Sequence, residues 1–495
     1  MDALWDDFAT AQRKEDGYLL ASTLSPVPPA SDPSRLEASQ RWTNSHSLQT
    51  DLRYKLQYNP ALSLTKQAAG AWLDVFAAYH AFTATLLAAE AAQQNAGRTP
   101  DADWSAVYES WKEVLNAVYR GYSGDVFANW TIPVLYLVGK YLRLFAIRAD
   151  ASRAAVQRDS GMDFGSSLAE GEAAAMTTTA KSDKLEDAAR QINRIFALCL
   201  SDRSPLEHSR KWALYYIANL LFATYFRLNS IPLSKNILRS LRAAAADTPP
   251  LSQFPRPHQV TFHYYAGVLA FLDEDYGTAE THLLAAYQTC DRRARGNVER
   301  ILTYLIPTTL LTSHRLPSPA LLAQHPPLDR LFAPLCKAIK RADLRAFHAA
   351  LDAGEAAFVH RRIYLTLERG RDVLLRNLFR RVFLAGGFDA PKTDGGGGDA
   401  AAAGGLPVRR TRIPLRELTA ALRVAGAEEV ADDGGGGGVG GGGGGGGAGQ
   451  AEADTAVVEC LVANAIYKGF VKGYIARERG MVVLSKAGAF PGTGV

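Results

Sequence analysis

Phe262, Tyr265, Ala266 and Leu269 recur at i, i+3, i+4 and i+7, the stripe that one face of an α-helix lays against a core. The same reading predicts helices over Lys66–Ala92, Asp103–Arg120, Pro133–Ala149 and Leu233–Ala246, and again through Ile301–Ser313 and the segments up to Leu384. Between Trp212 and Leu228 nearly every position except Asn219, Thr224 and Arg227 is apolar, so that helix is expected to be covered on more than one side. Pro232 is expected to end it, and Pro249 and Pro250 to close the next. Gly267, Ala279 and Ala286 have the small-residue spacing of a tetratricopeptide-like helical hairpin, although the Trp and Pro of that motif are missing. Alternation with period 2 is almost absent before residue 406. Two stretches break the helical pattern. Ala21–Pro33 carries four prolines and reads as a loop, and Ala151–Asp183 has no sustained apolar period and reads as a mobile insertion.

The last ninety residues differ. Arg412–Leu415 reads as a short strand leading into a helix over Leu415–Val424. Val458, Leu461, Val462, Ala465 and Ile466 mark an amphipathic helix over Ala453–Lys468, with Gly469 where a left-handed cap belongs. Phe470–Ile475 and Met481–Leu484 read as strands joined through Arg477-Glu478-Arg479-Gly480. Strand, helix, helix and hairpin is the order of a winged helix. Glycine runs at 434–438 and 440–447 interrupt it between its helices, and are expected to form a flexible loop because they offer nothing to bury. The fold expected is therefore mainly α: a tetratricopeptide-like helical-repeat solenoid followed by a C-terminal winged helix. The divisions expected are an N-terminal helical region 1–150, an insertion 151–183, a repeat region 184–386, a Gly/Ala-rich linker 387–405, and a winged helix 406–495 with its Gly-rich insertion 434–447.

The 495 residues exceed one ordinary core, which fits several domains or a stacking solenoid. The formal charge of +5 is unevenly spread. Leu328–Gly386 holds twelve Lys/Arg against six Asp/Glu, whereas the first 327 residues sum to zero. In the last ninety residues ten basic side chains face nine acidic ones, but six of the acids lie between Ala427 and Asp454, leaving the remainder at +7. A basic C-terminal third suits an anionic partner such as nucleic acid, and equally a solvated charged face. Nine positions are candidates for phosphate contact: Lys468, Lys472, Arg477, Arg479 and Lys486 on the second helix and wing, Arg412 and Arg416 ahead of them, and the pair Arg376 and Arg380 one helical turn apart; Arg409 and Arg410 lie at the same entry as Arg412. Tyr467, Phe470 and Tyr474 are expected to fill the core between helix and hairpin rather than to stack on bases.

Catalytic signatures are missing. No phosphate-binding loop, H-E-x-x-H or G-x-S-x-G occurs, and a G-x-G-x-x-G match inside the glycine tract is compositional. His258 and His263 are five apart and share no helical face, so neither a metal nor another cofactor is expected. Cys199, Cys290, Cys336 and Cys460 are far apart in apolar helical contexts and are expected to be buried thiols in a reducing compartment. The acidic N-terminus lacks the apolar core of a secretory signal. Ile132–Ile147, broken by Lys140 and Arg143, reads as too short and too charged to span a bilayer, so no membrane partner is expected.

Particular runs carry a resemblance. They are Tyr264-Tyr265-Ala266-Gly267 through Asp275-Tyr276 to Ala286-Tyr287-Gln288-Thr289-Cys290, Asn297 with Ile301–Pro307, Arg376-Asn377-Leu378-Phe379, and Glu459-Cys460 through Lys472-Gly473-Tyr474-Ile475 to Phe490-Pro491. Together they resemble the signalosome subunit-twelve-like branch of the PCI-domain family, related to the PCI subunit of the nuclear transcription-and-export complex. Gly17-Tyr18 and Leu24-Ser25-Pro26 are closer to the subunit-twelve type. The resemblance implies a non-catalytic scaffold. It implies pairing with a second PCI-domain subunit through the winged helix, and binding of the small acidic peptide of the proteasome lid. It also implies sequence-nonspecific contact with RNA or DNA, and a nuclear location with the cytoplasm open as well. The alternative is a protein-only scaffold of a signalosome- or lid-like assembly. The glycine-rich insertions and residues 151–183 depart from the branch.

Overall fold

The computed structural model describes residues 2–42, 47–57, 62, 64–95, 103–159, 182–388, 410–426 and 447–492. Packing divides the chain into two compact units, Met1–Leu269 and Ala270–Val495.

The first unit is helical. Its elements are α1 (Asp2–Lys14), α2 (Gly17–Thr23), α3 (Arg35–Trp42), α4 (Leu48–Gln57), α5 (Lys66–Asn95), α6 (Trp104–Ser123), α7 (Ile132–Asp159), α8 (Asp183–Leu200), α9 (Leu214–Arg227), α10 (Ile231–Ala243) and most of α11 (Arg256–Leu272). From α4 to α10 each helix packs against the next through its apolar side chains. In α6 these include Val107, Tyr108, Trp111, Val114, Leu115, Val118 and Tyr122, all buried. Asp103 caps α6 by accepting from Ala106 N. Trp111 is fully buried, and its Nε1 donates to Val138 O of α7 at 3.0 Å, so burying the ring leaves no polar atom unpaired. Helices α8 to α10, placed by sequence in the repeat region, share this core with the earlier ones. A buried carboxylate closes the turn before α9. Asp202 accepts from Ser209 Oγ at 2.8 Å, from Arg210 N at 2.7 Å and from the Arg210 guanidinium at 3.3 Å.

The second unit begins with α12 (Tyr276–Thr289), α13 (Arg295–Thr312), α14 (Pro319–Ala323), α15 (Pro326–Arg341), α16 (Leu344–His360), α17 (Tyr364–Glu368) and α18 (Arg371–Ala385). Ala279, Leu283 and Ala286 are buried on α12, which packs closely on α13. The winged helix follows as β1 (Arg412–Pro414), α19 (Leu415–Val424), α20 (Gly447–Tyr467), β2 (Gly473–Ala476) and β3 (Met481–Leu484). The sheet order is β1-β3-β2, with both pairings antiparallel. Two glycines make it possible. Gly480 turns the hairpin at φ +57°, and a Cβ on Gly473 would come within 2.4 Å of Val483 O.

Most sequence-derived elements stand, with shifted ends. Pro232 opens α10 instead of ending the helix before it, since a proline at the first turn loses no hydrogen bond. Residues 151–159, expected in the mobile insertion, continue α7, while residues 160–181 lie outside the described residues. So do nearly all of the linker 387–405 and the glycine tract 434–447, of which only 387, 388 and Gly447 are described. Helix α7 runs for 28 residues, further than the apolar stretch inside it suggests, and both α5 and α7 are long and apolar enough to cross a membrane. Many of their apolar side chains, among them Phe82, Leu135, Val138 and Leu142, are core residues of the first unit, whereas Leu144 and Val156 of α7 are exposed.

Candidate nucleic-acid interface

The register of the small sheet decides which winged-helix side chains share a face. Ile413, Val482 and Ile475 stand opposite one another, and Ile413 and Val482 are buried toward the helices with Leu484, Leu418 and Val462. The neighbouring row is Arg412, Val483 and Tyr474. Directly opposed residues point to one side of a sheet and successive residues to opposite sides. Arg412 and Tyr474 therefore share the outer face, with Lys472 two residues before Tyr474. Arg412 and Lys472 are exposed, and Tyr474 is 63% exposed. Tyr467, at the end of α20, is 90% exposed. Only Phe470 of the three aromatics turns inward, its ring 4.9 Å from His314. The expectation that Tyr467 and Tyr474 fill the core is therefore corrected. The run Phe470–Ile475 mixes apolar residues on both faces, so period alone does not say which face is wet.

The nine candidate cations separate into groups. Lys472, Arg479, Lys486, Arg412 and Arg416 are exposed and make no described ion pair. Lys468 is held by Asp372 of α18 at 2.6 Å, and Arg477 approaches Glu459 at 3.6 Å. Arg410 likewise pairs with Glu417 at 3.2 Å, and Arg409 lies outside the described residues. Arg376 is corrected more strongly, since it is 7% exposed and does not stand on the surface. Its Nε is buried without a partner, as is that of the half-buried Arg380. Burial, and then the neighbouring charge of Arg380, lower the Arg376 pKa. The sequence holds the signal for this. Arg376 is three residues from both Val373 and Phe379 and seven from Phe383, which places it on the apolar face of α18.

Sequence reading also missed a basic cleft of about 630 Å³ between the corner of α15 and α16, α18 and α19. Arg341, Arg345 and Arg381 line it, with Asp343 the one carboxylate among its described lining. Arg381 donates to Lys340 O at 2.7 Å and Arg341 O at 2.8 Å, capping the end of α15. Asp343 caps α16 through Ala346 N. Val424, 90% exposed, stands at the rim.

Helical pairs running into a winged helix set the fold class, and comparison with known proteins sets the family. The chain is 48% identical to the CSN12 homolog of Gibberella zeae across the whole of both chains. It is 34% identical to the CSN12 homolog of Schizosaccharomyces pombe, covering 79% of each. The chain belongs to the CSN12 family of PCI-domain proteins. PCI domain-containing protein 2 of Danio rerio is a more distant relative, 26% identical over 79% of this chain and 80% of its own. No family profile matches the chain.

His258 sits against Tyr136 and Tyr216, with ring centroids 5.5 and 5.1 Å away. Among the described residues no three His, Cys, Asp or Glu side chains gather as metal ligands. Cys199 and Cys336 are buried, and burial pushes the Cys336 thiol up to about 11. Cys290 is half-buried and Cys460 exposed, which corrects the expectation that all four are buried.

Proposed function

We propose that this chain is a non-catalytic scaffold subunit of a nuclear PCI assembly that holds RNA or DNA on its winged helix and helps to couple transcription to mRNA splicing or export. The observation that carries this is the outer sheet face, where exposed Tyr474 shares a row with Arg412 across Val483 and Lys472 precedes it on the same strand, with no described carboxylate partner for either cation. Aromatic faces stack on unpaired bases while cations neutralise phosphates, a combination that binds without sequence preference. Arg479 at the wing tip and Lys486 after β3 extend the positive edge. A second PCI-domain subunit is the proposed partner of the winged helix, where Tyr467 and Val457 are exposed. The small acidic peptide of the proteasome lid finds complementary charge in the cleft of Arg341, Arg345 and Arg381. Exposed Val424 and Val457 also favour the second reading, a protein-only scaffold of a signalosome- or lid-like assembly.

Salt dependence separates the two readings. Labelled oligo(U) and a duplex are titrated with the full-length chain across a salt series. The same is done with a variant carrying Arg412→Glu, Lys472→Glu, Arg479→Glu and Lys486→Glu. Each lost phosphate contact lowers the slope of log K against log salt by about 0.7 on single strands and about 0.9 on duplex. Circular dichroism confirms the fold, which the changes spare because these side chains are exposed. Wild-type binding by the folded variant at every salt concentration would leave only the protein-scaffold reading.

A further inference from the structure

A cleft of about 430 Å³ opens on the first unit between α2, the proline-bearing loop after it, and α7. Along α7 it is lined by Pro133, Tyr136, Leu137 and Lys140, at i, i+3, i+4 and i+7, a stretch of about 10 Å at the helical rise. Tyr18 of α2 forms the facing wall and is 67% exposed, with Val27 of the loop exposed beside it. The loop is pinned by Tyr79, whose hydroxyl donates to Ser25 O at 2.9 Å. Tyr216 stacks on Tyr136 with centroids 4.1 Å apart, and both meet the edge-on ring of His258.

Of the polar side chains in the lining, Ser22 and Ser25 donate to Leu19 O and Val27 O, whereas Tyr18, Tyr216, His258 and Lys140 keep donors that no described acceptor meets. His258 is 8% exposed, lines the cleft, and has Nδ1 buried without a partner. Burial holds its pKa down at about 4, so the ring is neutral and can carry a proton on that edge. Among the described residues neither the Tyr18 nor the Tyr216 hydroxyl bonds to protein, whereas the Tyr136 hydroxyl is committed to Trp212 O at 3.1 Å. Lys140 is the one charged residue in the lining.

These features exclude most occupants. A cationic ligand finds no carboxylate. Nucleic acid draws its affinity from phosphate neutralisation, for which one lysine in a region of zero net charge supplies little. A docked helix has its carbonyls already bonded within itself. An extended proline-rich peptide matches instead. Its carbonyls are free to accept, its prolines lack N–H donors, and its rings pack against aromatic walls. At about 3.1 Å per residue, three residues of polyproline II span the α7 wall.

We propose that the cleft of Tyr18, Tyr136, Tyr216 and His258 docks a proline-rich segment of a partner protein in the polyproline II conformation. This does not depend on nucleic-acid binding by the winged helix. The test uses the full chain with a fluorescein-labelled decaproline peptide, an arrayed set of Pro-x-x-Pro dodecamers, and oligo(U) as competitor. Tyr18→Ala should weaken peptide binding about tenfold, and Tyr18 is exposed enough for the fold to survive its loss. Tyr216→Phe, which removes one hydroxyl, should weaken it about fivefold. The four-site winged-helix variant should bind peptide as the wild type does. Absence of binding by decaproline and by every dodecamer at about 1 mM would overturn the proposal. So would binding that is indifferent to both tyrosine substitutions in chains with wild-type melting curves. Displacement of the peptide by oligo(U), lost in Tyr18→Ala, would reassign the cleft to a nucleobase.

Discussion

Replacing Arg376 by Met should make the protein more stable. Arg376 lies on α18 with 7% of its surface exposed, its Nε has no partner, and no carboxylate is described as pairing with it. Nearby Arg380 adds a second positive charge, and burial followed by that charge lowers the Arg376 pKa. A guanidinium buried at Nε without a counter-charge gives up part of its hydration and regains none of it as Coulomb attraction. Methionine keeps much of the unbranched apolar stem and removes the guanidinium. Exchanging a buried ion pair for apolar groups of similar volume ranges from neutral to stabilising by about 1–4 kcal/mol, and an unpaired cation has no attraction to lose. For a unit of this size, about 2 kcal/mol corresponds to a rise in Tm of roughly 4–8 °C. Calorimetry or circular dichroism melting of the full chain reads this directly, with Arg380→Met as the half-buried comparator expected to gain less. A fall in Tm for Arg376→Met would refute the reasoning, because it would mean that the guanidinium is compensated in the fold.

Two further outcomes follow from the geometry. His258, held down at about 4 against an ordinary 6.5, is neutral in the folded chain while the unfolded chain takes up a proton. Below pH 6.5 the unfolded state therefore binds more protons, so stability falls as pH drops from 6.5 toward 4, by about 2 kcal/mol at pH 5. In chemical-denaturation series at pH 7 and pH 5, His258→Gln should remove that part of the acid sensitivity, and an unchanged difference between the two pH values would contradict it. Gly473→Ala should destabilise the winged helix by about 1–3 kcal/mol, since the new methyl meets Val483 O at 2.4 Å and β2 must move off β3. A urea midpoint equal to wild type would show that the strands accommodate it.

The winged helix was legible in the sequence because its signals are local. Gly469 and Gly480 both have positive φ where a cap and a turn were expected, and α19 and β3 keep their expected ends. The boundaries and facings that failed depend on tertiary context. Helix α7 continues through Ala151–Asp159 although that segment is not strongly apolar, because a helix already nucleated and packed propagates through weak sequence. Tyr474 and Ile475 are both strand formers, so the sequence did not say which of them faces water. The Tyr18 cleft joins residues more than two hundred positions apart, a proximity that periodicity cannot express.

The charge count was legible but its use was not. The basic excess of the last third reads as one electrostatic surface only until partners are assigned. Lys468 joins the winged helix to α18 through Asp372, Arg410 is held by Glu417, and Arg477 leans on Glu459. Arg376 is buried and Arg380 half-buried. That leaves Lys472, Arg479, Lys486, Arg412 and Arg416 as the candidates exposed and without a described ion pair. Arg416 is further placed in the first turn of α19, where the helix dipole disfavours a cation unless an anion is close by. If these five cations alone meet phosphate, the salt slopes are about −3.5 on single strands and about −4.5 on duplex. A steeper measured slope would require phosphate contacts elsewhere, and the arginines of the α15–α16 cleft are the next source of positive charge in the same unit.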